Sequence, residues 1–158
     1  MAESESPVKV VATNRSARHD YFIDEVFEAG IVLTGTEVKS LRQGRATIGD
    51  GYIHIEGGEA WVENLHIPEY TEGTWTNHAP RRKRKLLLHH TQIDELAIQT
   101  RERGLTIVPL RLYFTKGKAK LEIGVARGKK LYDKRQSLKE RQDNREAQRA
   151  MSQRGRAS

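Results

Sequence analysis

Histidine and carboxylate side chains are the groups in this sequence that could do acid–base or metal chemistry, and their spacing assembles neither. There are six histidines and no cysteine in 158 residues. His19-Asp20 sets a base beside an orienting carboxylate, yet no candidate nucleophile accompanies the pair. His89 and His90 are adjacent, so on a strand they would face opposite ways, and no histidines show zinc-ligand spacing. The lack of cysteine excludes disulfides and Cys-type zinc or iron–sulfur sites, and it fits a reducing compartment. Gly30, Gly35, Gly44, Gly49 and Gly51 form neither a phosphate loop nor a dinucleotide fingerprint in a βαβ setting, and there is no G-x-S-x-G elbow. The chain is expected to be no enzyme and to need no metal or cofactor.

Cations are the stronger signal. Lys and Arg number 28 against 21 Asp and Glu, a net of +7, and a basic protein of this size usually meets a polyanion. Five consecutive cations, Arg81, Arg82, Lys83, Arg84 and Lys85, repel one another and call for a solvated or polyanionic setting. They would neutralise phosphates, with binding that weakens as salt rises. A nuclear-localisation run is the generic alternative, disfavoured because these residues sit between a polar loop and an apolar stub. A second polar, cationic cluster, Asn14, Arg15, Arg18 and His19, adjoins the first strand, where helix capping by Asn14 and solvated arginines are the plain alternative. Tyr70 and Trp75 precede the basic run, and core packing is favoured over stacking for both.

The elements that must position these groups follow from pattern. Strands are expected over 8–12, 21–33, 52–56, 59–67, 105–114 and 118–126, the second interrupted by a bulge or bend at Gly30. Gly57-Gly58 and Lys116-Gly117 supply tight hairpin turns. Residues 14–20 could form one helical turn. Thr34 and Glu37 have capping-box spacing for a helix stopped by Gly44, and Thr91 with Asp94 would start another running to Arg103. Residues 86–88 read as a buried apolar stub. Tight turns in place of crossover helices argue for a mainly β fold, a six-stranded antiparallel OB-like barrel with about three short helices.

Three parts are expected: a disordered 1–7, a barrel over 8–127 and a basic tail over 128–158. The tail carries a net of +6, leaving +1 for the rest, and has too few apolar residues for a core. Residues 137–151 are nevertheless rich in helix formers, so the tail is expected to be disordered when free and helical on a partner. The polar N-terminus has no apolar segment of a secretory signal, and no run approaches the roughly 18 apolar residues of a membrane span. A soluble, cytoplasmic protein is expected.

Four segments carry a family resemblance: ATNRSARHDYFI at 12–23, FEAG at 27–30 with GTEVKSLR at 35–42, HAPRRKRKLLL at 78–88, and GVARGKKLYDKR at 124–135. In this order they resemble the SmpB family, the SsrA-binding proteins that partner tmRNA in bacterial trans-translation. The resemblance implies an oval barrel with three helices that binds the tRNA-like domain of tmRNA near the elbow of its D- and T-loops. It implies delivery to the A site of a stalled ribosome, with the tail entering the decoding centre and mRNA channel. It also implies one copy of the chain per tmRNA and an indirect link to elongation factor Tu through alanyl-tmRNA.

Residue by residue, Glu28, Leu87 and His89 match family RNA-binding positions, alongside Asn14, Arg15, Arg18, His19 and the basic run. A carboxylate in such an interface can accept from a base amino group or a 2′-hydroxyl if it is well oriented. Leu87 could equally be core. Lys129, Lys130, Tyr132, Asp133, Lys134 and Arg135 match the family's ribosome-binding tail, with Tyr132 as a stacker. Rival readings are a general single-strand RNA-binding OB protein, weakened by only ten aromatics in no clear row, and a ribonuclease.

Overall fold

The computed structural model describes residues 7–72 and 77–129. Two hairpins organise them, and each turns on two consecutive residues with positive φ. Gly57 and Gly58 (62° and 77°) join β3 (Tyr52–Glu56) to β4 (Glu59–Glu63), and Lys116 and Gly117 (52° and 75°) join β6 (Thr106–Thr115) to β7 (Lys118–Gly128). Such turns match the natural twist of paired strands and fix their register. The remaining strands are β1 (Val8–Thr13), β2 (Tyr21–Ile31) and β5 (Arg84–Leu87). All pairings are antiparallel, and β6, β3, β4, β5, β2 and β7 close into a ring through the β6–β7 hairpin. The seventh strand, β1, lies on β6 beside the ring, pairing with Arg111 to Thr115 while β3 takes Ile107.

The expected OB-like antiparallel barrel is thus observed, with corrections in detail. Leu86 and Leu87 of the stub expected to be buried belong to β5, which starts inside the charge run and closes the ring between β4 and β2, and of the three leucines only Leu86 is buried. Strand β4 ends four residues early because Asn64 takes a left-handed conformation, φ 64°. Strand β2 runs unbroken through Gly30, and its irregularity lies between Ile23 and Glu25.

Among the described residues three helices accompany the strands: α1 (Ala17–Asp20), α2 (Gly35–Arg42) and α3 (His90–Arg101). The capping box of α2 forms as expected, Glu37 Oε1 accepting from the Thr34 amide at 2.8 Å. Helix α3 starts one residue earlier than Thr91, with His89 at its N-cap and Gln92 Oε1 accepting the His89 amide at 3.0 Å. No helix of the described residues is long and apolar enough to cross a membrane.

Inward residues of the ring strands build one core around Phe27, Ala29, Val62, Leu86, Leu112 and Ile123, which α2 joins through Leu41 and α3 through Leu96. Burying such side chains contributes about 1.5–3 kcal/mol each. A smaller cluster, Ala17 with Val108, Leu110 and Ala126, fastens α1 to β6 and β7.

Candidate nucleic-acid interface

Alternation along strands decides which side chains share the outer face of the ring. On β5, Arg84 and Leu86 are buried and Lys85 and Leu87 point out. On β2, Ala29 and Ile31 point in, so Glu28 and Gly30 lie outside. Register then carries two rows across the sheet. One reads Leu87, Gly30, Lys120, Tyr113; the other reads Glu28, Glu122, Arg111, Thr13. Glu28 and Leu87, 59 positions apart in sequence, become neighbours on one face. Leu87 is 54% exposed, which removes the core alternative for it. It lies against the bare backbone of Gly30, where an added Cβ would stand 3.2 Å from Leu87 Cβ.

The second row is electrostatically organised. Tyr113 lies under the Arg111 guanidinium, 5.0 Å from it, and its hydroxyl donates to Glu28 Oε2. Burial pushes the Tyr113 phenol well up from its ordinary value, and the Glu28 carboxylate adds to the shift. Arg111 donates to both oxygens of Glu122, at 3.0 and 3.4 Å, and this bond raises its guanidinium further above neutrality. Glu122 is thereby neutralised, whereas exposed Glu28 keeps a free oxygen. A carboxylate has about four lone-pair sites, so Glu28 can still accept from a ligand.

The cationic cluster at the end of β1 adjoins this row. A cleft of about 350 Å³ runs from Arg15 and Arg18 to Arg111 and Glu122. Arg15, Arg18 and His19 are exposed, and His19 Nδ1 lies 3.0 Å from Asp20 Oδ1 in solvent. Asn14 differs: it is buried, its side-chain amide donates to Pro109 O at 2.9 Å, and its backbone amide donates to Leu110 O at 2.8 Å. Pro109 sits at the irregularity of β6, so Asn14 clamps β1 onto that bend. Ser16, not Asn14, occupies the N-cap of α1.

The basic run is not the solvated row expected from its composition. Arg84 is fully buried, bonded to Glu37 and donating to Leu65 O and Pro80 O, both at 2.9 Å. Arg82 grips both oxygens of the same carboxylate, Oε1 at 2.6 Å and Oε2, which Arg84 also holds, at 3.1 Å. Burial pushes the Glu37 carboxyl up, but bonds from Arg82, the Thr34 amide and Arg84 outweigh it and hold it below the ordinary range. Arg81 donates to Asn64 Oδ1, Lys85 to Glu59, and Lys83 to Glu56 at 2.7 Å while standing over the Trp61 ring. These last three stay at the surface; charge density along a sequence does not show which cation of a run faces inward. His89 is exposed two residues beyond Leu87.

Lys129, the last described residue, donates to Arg18 O at 2.8 Å and stands 5.2 Å from the Phe22 ring centre. Lys130, Tyr132, Asp133, Lys134 and Arg135 lie outside the described residues, as do Trp75 and the helix expected over 137–151. Sequence reading missed Lys120, Arg111, Tyr113 and Glu122. The Lys116-Gly117 turn already implied the facing of Arg111 with Glu122, since a two-residue loop fixes register; nothing local implied that both meet Glu28.

The closed ring and its polar outer face, flanked by cations, define a small antiparallel barrel of the OB-like class. Within that class the assignment is specific: the family described as SmpB protein matches residues 11–153, and the chain belongs to the SmpB family. It is 68% identical over 146 residues to the SsrA-binding protein of Kineococcus radiotolerans, covering 92% of this chain and 94% of that one. With the SsrA-binding protein of Pseudarthrobacter chlorophenolicus it shares 60% over 152 residues, 96% of each chain. Among solved structures it resembles one described as "tmRNA-SmpB: a journey to the center of the bacterial ribosome", with TM-score 0.64 and 50% identity over 78% of this chain and 85% of that one.

Proposed function

We propose that this chain is a non-enzymatic adaptor that binds the tRNA-like domain of tmRNA and brings it to the A site of stalled ribosomes. The observation that carries the proposal is the single outer face joining Glu28, Leu87, Arg15 and Arg18. Arg15, Arg18 and His19 meet phosphates, and so do Arg81, Lys83 and Lys85 after exchanging their present partners. Glu28 accepts from a base amino group or a 2′-hydroxyl, and Leu87 with His89 packs on an unstacked nucleotide. Asn14, Arg82 and Arg84 act from behind, by holding β1 and the basic loop. The names of the relatives, SsrA-binding protein, and the description of the solved neighbour, which joins tmRNA, SmpB and the ribosome, support this reading.

The tail from Lys130 onward occupies the decoding centre and mRNA channel, becoming helical there, and Tyr132 with Asp133, Lys134 and Arg135 makes its first contacts. Elongation factor Tu joins indirectly through alanyl-tmRNA, and the complex works in the cytoplasm. Competition at physiological salt between a tRNA-like RNA and an unstructured RNA of equal length tests the proposal. Clear preference for the folded RNA is expected. Equal affinity would point to a general single-strand binder, and cleavage of either RNA in chelator to a nuclease.

A further inference from the structure

We propose that Tyr113, backed by the Arg111–Glu122 pair, positions the Glu28 carboxylate as an oriented acceptor for a donor group of the RNA. The inference rests on Glu28 being an RNA contact, as proposed above. A carboxylate near a phosphate chain meets repulsion, so it helps binding only if one oxygen is aimed at a donor without further loss of freedom. A glutamate on an exposed strand ordinarily samples several rotamers and loses that freedom on binding.

Here the freedom is already removed. Tyr113 starts on β6, and its hydroxyl reaches the carboxylate on β2 across the intervening β7. Tyr113 is 3% exposed and its side chain has two torsions, so the hydroxyl is a fixed donor. It engages Oε2 alone and leaves Oε1 for a ligand. Glu122 stands directly beside Glu28 in register, and unpaired it would repel Glu28 and compete for the same hydroxyl. Arg111 removes both effects by gripping Glu122 and covering the Tyr113 ring. The four residues span three adjacent strands, so the arrangement is as stiff as the sheet.

Tyr113→Phe keeps the ring and removes only the hydroxyl. Glu28 is exposed to water, so no buried acceptor is stranded and the fold is expected to persist. Affinity for a tRNA-like RNA is expected to fall about tenfold, the scale of the side-chain freedom that Glu28 would then lose on binding, while the thermal melt falls by no more than the few degrees expected from one solvent-facing hydrogen bond. The salt slope should also stay unchanged, because no phosphate contact is lost. Glu28→Gln should lose at least as much, and the double variant no more than Glu28→Gln alone. Wild-type affinity for Y113F beside a weakened E28Q would overturn the positioning role and leave the proposed function standing. Additive losses would overturn it as well, because Tyr113 would then act independently of Glu28. Wild-type affinity for E28Q would remove Glu28 from the interface and the inference with it. Should Y113F melt below the assay temperature, 3-fluorotyrosine at position 113 changes only the donor strength of the hydroxyl. It is expected to alter the affinity of the wild-type protein and not that of E28Q, and no change in either overturns the inference.

Discussion

Glu37 shows how one residue can decide the use of a whole charge cluster. Its carboxylate closes the cap of α2, takes Arg82 on both oxygens and Arg84 on Oε2, and has no exposed surface. Removing it strands the buried Arg84 guanidinium. Glu37→Gln is expected to cost about 3–5 kcal/mol, read as a lower urea midpoint, in line with broken buried ion pairs elsewhere. A carboxyl held low in the fold stabilises it fully above the unfolded carboxyl's ordinary 4.5. That contribution is lost as pH falls from there through the depressed folded value. Acid unfolding followed by circular dichroism should therefore steepen below that point in the wild type, and the Glu37→Gln protein should lack this component. Nothing local marks Glu37 as central; its capping role is legible from Thr34, but its two arginines come from 45 and 47 positions away.

At the scale of elements, strand β5 and helix α3 carry the site. Strand β5 has four residues, closes the ring, and sends Lys85 and Leu87 outward while Arg84 and Leu86 go inward. Its pairing with β2 depends on Gly30, against which Leu87 lies. Gly30→Val is expected to cost about 1–3 kcal/mol by overpacking, seen as a shifted denaturation midpoint, and to displace Leu87 from the binding face. Helix α3 holds to the core through fully buried Leu96. Leu96→Ala should cost about 2–5 kcal/mol by calorimetry or urea unfolding, the range for a leucine removed from a packed core. The hairpins were legible because glycine-bearing turns fix register within a few residues. Strand β5 was not, since four residues half composed of cations offer no periodicity to read.

For the whole molecule, charge is divided unequally. Residues 1–127 carry a net of only +1, and four of the five cations of the basic run are paired with carboxylates of the fold, whereas residues 128–158 carry +6. Under the proposed function the barrel recognises folded RNA by shape and a few oriented groups, and the tail acts on the ribosome. A protein ending at Lys129 keeps the contacts of that residue with Arg18 and Phe22. It is expected to bind tRNA-like RNA with nearly the wild-type affinity and salt slope but to lose tagging on stalled ribosomes. Loss of RNA binding on this truncation would mean that the two tasks are not separable.

The sequence by itself determined what depends on neighbours along the chain: both hairpin turns, the cap of α2, the antiparallel barrel class and the concentration of charge in the tail. Only the tertiary structure decided which cation of the basic run faces inward, why Asn14 is a clamp, and that Glu28 meets Tyr113 and Glu122 and shares a face with Leu87. The reason is closure. A ring fixes the register of strands that are distant in sequence only when its last pair forms, so the neighbours of an outer side chain are set by every strand together.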